Sequence, residues 1–155
     1  MAWITLALRK QTLKAEISSL NFEDLQLSRE RRAVHRHLSY EESIYNTSKK
    51  EEIRNAKSAY NEIRDQRPSV ADTQAYEEWK VQYAQAQEDY QAQKQDIEDY
   101  YDDLCADLEA DAQDREDHLE EEQTRVETQR DAMSAELQAI TDQVKQEIEI
   151  SAIKF

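Results

Sequence analysis

Three histidines, one cysteine and a dense set of carboxylates are the side chains in this sequence best equipped for chemistry. His35 and His37 stand two positions apart, so on a helix their rings project in quite different directions and make a poor metal pair. His118 lies among Asp114, Asp117, Glu121 and Glu122, where a chance divalent contact is conceivable. A di-iron centre built in a helical bundle requires Glu-x-x-His motifs from two helices. Position 115 is Arg115, so that motif fails at its first residue. The run Asp99-Tyr100-Tyr101-Asp102-Asp103 lacks the glycine and ligand spacing of a calcium-binding loop. Cys105 is the single cysteine, so it cannot form a disulfide within the chain. Surface carboxylates without a pocket do not acquire the shifted pKa that acid–base catalysis needs. The expectation is a protein that is not an enzyme and has no catalytic, cofactor-binding or metal-binding residues.

The elements that would carry these residues are long helices. The sequence has no glycine and a single proline, Pro68, with 35% charged residues. Glycine supplies the positive-φ positions of tight hairpins and of phosphate loops, so sandwiches, barrels and Gly-rich nucleotide sites are excluded. Apolar residues fall at helical spacing. Leu6, Leu13, Leu20, Leu27 and Val34 recur every seven residues, with Ile17, Leu38 and Tyr45 in adjoining rows, followed by Ile53, Ala56, Tyr60 and Ile63. Tyr76, Tyr83, Tyr90, Ile97 and Leu104 again repeat at seven, flanked by Trp79, Ala86 and Tyr100. Leu119, Val126, Met133 and Ile140 resume the pattern, with Leu137 and Val144 beside them. Sustained heptads impose a narrow apolar seam and a left-handed supercoil. Between Leu108 and Leu119 the step runs through Ala112 and Arg115, which predicts an eleven-residue step or a local stutter, with the supercoil unwinding there.

The punctuation is Arg67-Pro68-Ser69-Val70-Ala71-Asp72. Pro68 disfavours helix at Arg67, and Ser69 and Asp72 are N-cap candidates for a restart. The predicted fold is therefore all-α, a long antiparallel helical hairpin or coiled coil with its turn near Pro68, and oligomeric. Its parts are a first helix over 1–67 with an apolar tip at 3–8, a turn at 68–72, and a second acidic helix over 73–147. A tail at 148–155 is read as a helix end or a short strand. The alternative reading of Pro68 is a kink in one continuous helix. The apolar start has no preceding basic region and no cleavage site, so no signal peptide is expected. No stretch approaches the roughly 20 apolar residues of a membrane span.

Charge divides the halves. Up to Arg67 there are thirteen Lys/Arg against ten Asp/Glu; from Asp72 onward, seven against twenty-five. A turn centred near residue 69 would oppose residues whose numbers sum to about 138 in an antiparallel seam. Arg29, Arg31, Arg32 and Arg36 are then expected against Asp102, Asp103, Asp107 and Glu109, with the C-terminal segment unpaired after about residue 137. Residues 88–122 hold sixteen acidic and two basic side chains, an excess for solvent or for a basic partner. A chain of net charge −15 is repelled by phosphate, so no direct nucleic-acid contact is expected. Trp3, Ile4, Leu6 and Leu8 and, near the same pole of the expected hairpin, Ile148, Ile150, Ile153 and Phe155 are the candidate partner-binding residues.

In composition and architecture the sequence resembles the small helical structural proteins of tailed bacteriophage virions. That resemblance implies a cytoplasmically made structural or assembly subunit, incorporated into a virion as a coiled-coil spacer or strut. Its partners would be further copies of itself and neighbouring subunits. The alternative is an acidic assembly chaperone or adaptor holding a basic client protein, with DNA mimicry a distant third.

Overall fold

The computed structural model describes residues 2–153. Helix α1 spans Ala2–Asp65 and helix α2 spans Thr73–Ile153, and the described residues include no strand. Residues 148–153 thus continue α2; no short strand forms there. Phe155 lies outside the described residues. Among the described residues no helix is long and apolar enough to cross a membrane.

The connection is a turn made without positive φ. Ser69 O accepts from Asp72 N at 3.0 Å, and Ser69 Oγ accepts from Ala71 N at 3.3 Å. Asp72 is the N-cap of α2, its Oδ1 accepting from Ala75 N at 3.3 Å, which satisfies one of the donors that a helix start leaves open. The opposite problem, the open carbonyls ending α1, is met partly by a side chain. Trp79 Nε1 donates to Ile63 O at 2.8 Å. That bond substitutes for the glycine C-cap that this composition cannot provide.

The helices divide into two compact units, Met1–His35 with Gln113–Phe155, and Arg36–Ala112. In the first unit the less exposed positions of α1 step strictly by seven: Leu6, Leu13, Leu20, Leu27 and Val34, beside Lys10, Ile17, Asp24 and Arg31. Those of α2 do the same through Leu119, Val126, Met133 and Ile140, beside Gln123, Arg130, Leu137 and Val144. Leu13 and Val126 are fully buried.

The second unit, an antiparallel hairpin closed by the turn, follows another period. Its α2 stripe runs Trp79, Tyr90, Tyr101 and Ala112 at steps of eleven, with Tyr83, Lys94 and Cys105, and Ala86, Ile97 and Leu108, in parallel rows. On α1 the steps from Glu42 to Ile53, Tyr45 to Ala56 and Lys49 to Tyr60 are also eleven. The expected heptad residues Tyr76, Tyr83, Tyr90, Ile97 and Leu104 are all half-buried, but they share the seam with these eleven-residue rows, so the eleven-residue step is not confined to 108–119. Tyr101, not Tyr100, is the tyrosine turned inward: 7% exposed against 58%. Eleven residues over three turns give 3.67 per turn, close to the intrinsic 3.6, so this stretch needs no left-handed supercoil to keep its stripe inward.

Candidate interaction surfaces

The predicted charge register is also corrected. Twice the turn midpoint would set Lys49 against Asp89 and Arg31 against Asp107. Instead Lys49 Nζ donates to Asp102 Oδ1 at 2.7 Å, and Arg31 Nη2 reaches Glu116 Oε1 at 3.1 Å, two turns of helix beyond Glu109. Asp103, Asp107 and Glu109 are exposed, and neither they nor Arg29, Arg32 and Arg36 form an ion pair among the described residues. Two physical causes act. Non-helical residues in the turn can rise by more than 3 Å each against about 1.5 Å in a helix, so residue number stops measuring height there. Side chains on both helices also lean toward their own N-termini, which in an antiparallel pair advances the residue met on the second helix.

In the first unit this register builds a polar network in an otherwise apolar seam. Arg31 Nη1 donates to Gln123 Oε1 at 3.1 Å, and Gln123 Nε2 donates to Asp24 Oδ1 at 2.8 Å. His35 Nε2 lies 3.2 Å from Glu116 Oε1, and Arg130 Nη1 stands 3.6 Å from Asp24 Oδ2. Charged pairs of this kind add little net stability but penalise slipped registers, because a slip leaves each member part-buried without its partner. The network escaped the sequence reading, although its signal was present: Asp24 and Arg31 continue the row of Ile17, and Gln123 and Arg130 the row of Leu137.

The second unit carries an aromatic ladder. Tyr60 stacks on Tyr83 and Tyr90 at centroid distances of 5.4 and 5.5 Å, and Trp79 stacks on Tyr83 at 5.1 Å. The hydroxyls of Tyr60 and Tyr83 hydrogen-bond at 2.5 Å, and Tyr101 Oη donates to Glu52 Oε1 at 2.6 Å. Arg67 lies over the rings of Tyr76 and Trp79 at 5.6 and 5.7 Å.

These contacts give the two units opposite pH responses. Hydrogen bonds from Arg31, Arg125 and Arg9 hold the carboxyls of Glu116, Glu122 and Glu136 below the ordinary carboxylate range, all in the first unit. A lowered carboxyl contributes stability above its unfolded pKa and loses it as pH falls through the folded value. In the second unit the bonds to Tyr83 and Glu52 raise the Tyr60 and Tyr101 hydroxyls. A raised hydroxyl stabilises below its unfolded pKa and ceases to do so as pH climbs through the folded value. Hydrogen exchange followed by mass spectrometry should show the first unit losing protection first below pH 4.5, and the second first above pH 10, near the ordinary values of these groups. Glu116→Gln should blunt the acid response and leave the alkaline one unchanged.

The candidate partner-binding residues lie in the first unit. Trp3, Ile4 and Leu8 near the start of α1 are exposed, as are Ile148, Ile150 and Ile153 near the end of α2. Leu6 and Ile150 line one open groove with Thr5, Gln143, Gln146 and Glu147. The expected unpaired segment after residue 137 is thus corrected, since α2 still lies beside the start of α1 at Ile150. Among the described residues no group of three His, Cys, Asp or Glu side chains is arranged to hold a metal ion. Compared with known proteins, the chain matches no family model, no curated protein and no solved structure.

Proposed function

We propose that this chain is a non-enzymatic structural subunit of a larger assembly, a coiled-coil spacer of the kind that helical virion proteins of tailed phages exemplify. One observation carries the reading. The first unit leaves Trp3, Ile4, Leu8, Ile148, Ile150 and Ile153 exposed while fully burying Leu13 and Val126, and Ile150 lines an open groove with Leu6. Large apolar side chains exposed on one unit are covered by another protein surface at lower free energy than by water.

Light scattering on the purified chain, alone and with the products of neighbouring genes, tests it. The expected result is a concentration-dependent oligomer or a defined complex with such a neighbour. A stable monomer in every mixture would overturn the reading. The exposed acidic residues Asp96, Asp99, Asp103, Asp107 and Asp111 favour a second reading, an adaptor that holds a basic client. A complex that forms with a basic protein and dissolves at high salt would select it, because screening weakens exposed charge pairs most.

A further inference from the structure

Helix α1 of the first unit carries a second heptad row that the hairpin does not cover. Ile4, Leu8, Gln11, Ala15, Ser18, Phe22 and Leu25 alternate by four and three. This row lies roughly 155° around the helix from the middle of the buried stripe that Leu6, Leu13 and Leu20 form with Lys10, Ile17 and Asp24. All seven residues are exposed, the four large ones by 44% at Ile4, 60% at Leu8, 60% at Phe22 and 45% at Leu25. The four large side chains stand as two pairs, Ile4 with Leu8 and Phe22 with Leu25, about 21 Å apart along the helix from Leu8 to Phe22, a spacing that a second helix laid along α1 would cover at both ends. The corresponding row of α2 in the same unit is polar and acidic, with Asp117, Glu121, Asp131 and Asp142. The apolar row is therefore particular to α1.

We infer that this face of α1 is an isologous contact with a second copy of the chain, the two α1 helices running antiparallel about a two-fold axis near Ala15. The inference deepens the assembly reading and rests on it. A two-fold contact requires a surface complementary to itself, residue i meeting j while j meets i. The row satisfies this by size: Ile4 falls opposite Leu25, Leu8 opposite Phe22, Gln11 opposite Ser18, and Ala15 opposite its own copy. Ala15 and Ser18, small and near the centre, let the helices approach, Gln11 reaches across to Ser18, and the large residues fill the two ends.

Charge selects the occupant and the direction. The positions flanking the row are Thr5, Thr12, Ser19 and Gln26 on one side, and Ala7, Lys14, Asn21 and Ser28 on the other. In a chain of net charge −15 this border has one charge, Lys14, whose long stem lets its ammonium reach solvent. Two such faces meet with little repulsion, whereas the acidic face of α2 would be repelled by its copy. Beyond Leu25 the row continues as Arg29 and Arg32. Parallel pairing would place each arginine against its twin; the antiparallel pairing leaves both outside the contact.

Site-directed cross-linking of the full chain in a Cys105→Ser background tests the geometry without touching the apolar row. Thr5→Cys and Gln26→Cys lie on the same flank and meet across the two-fold. A mixture of the two variants, treated with a short bis-maleimide, should give covalent dimer at least ten-fold above either variant alone, since each is separated from its own copy by roughly 30 Å along the axis. Cross-linking of each variant with itself would mean parallel pairing and overturn the inference. Leu8→Asp with Phe22→Asp should abolish the dimer by light scattering with helicity retained. An oligomer that survives this pair but is lost in Ile150→Asp would overturn this contact and leave the assembly reading standing. A chain monomeric in every mixture would remove both.

Discussion

Replacing Leu13 by alanine is expected to destabilise the first unit by about 2–5 kcal/mol, the cost of deleting a fully buried leucine side chain and retaining part of the cavity. Leu13 has no exposed surface and stands midway along the heptad row from Leu6 to Leu20. Each member of a two-helix seam is covered by few neighbours, so no thick core surrounds the site to close over the gap. Chemical denaturation followed by circular dichroism, with exchange protection read over residues 1–35 and 113–153, checks the size and the place of the loss. Val81→Ala, at a position 71% exposed in the second unit, is the control and should move stability by no more than about 0.5 kcal/mol. A Leu13→Ala loss no larger than that of the control would mean that the buried heptad row is not what joins these segments.

The second large effect is expected at Trp79. Its ring stacks on Tyr83 and lies against Tyr76, its Nε1 donates to Ile63 O, and Arg67 sits over it. Trp79→Ala removes the packing and leaves the Ile63 carbonyl with only the longer bond from Gln66 N at 3.3 Å, an expected cost of about 3–5 kcal/mol. Because Trp79 is only half-buried, water can reach part of the site and the lower end of that range is expected. Trp79→Phe separates the two contributions. It keeps a ring on Tyr83 and deletes the N–H, and should cost about 1–2 kcal/mol. Exchange of the amides in the last turn of α1 should accelerate in both variants. If the phenylalanine variant matches the native chain in stability and in that exchange, the indole-to-carbonyl cap carries no weight.

Parts of this architecture are legible residue by residue. Seven-residue recurrence from Leu6 to Val34 and from Leu119 to Ile140 states which face is buried, because a helix repeats its faces whatever it packs on. Pro68 and the Asp72 cap are local as well, since a missing N–H and a side-chain acceptor act within a few residues. The second unit was harder to read. Seven and eleven share the steps of three and four, so Tyr76, Tyr83 and Tyr90 follow a heptad while Trp79, Tyr90 and Tyr101 follow an eleven-residue row, and both rows lie in the seam.

By itself, then, the sequence determined that the chain is helical, where it turns and which rows of the first unit are buried, since backbone propensity, capping and periodicity are short-range properties. Only the tertiary structure decided the register. Register is a relation between two helices, set by how high the turn climbs and how far side chains lean, and neither is written in residue numbers. That decision moved Arg31 from the neighbourhood of Asp107 to Glu116 and gave Asp102 to Lys49. It also set Leu6 and Ile150 along one groove and left the row from Ile4 to Leu25 uncovered, which is where the contacts of this protein with its partners are proposed.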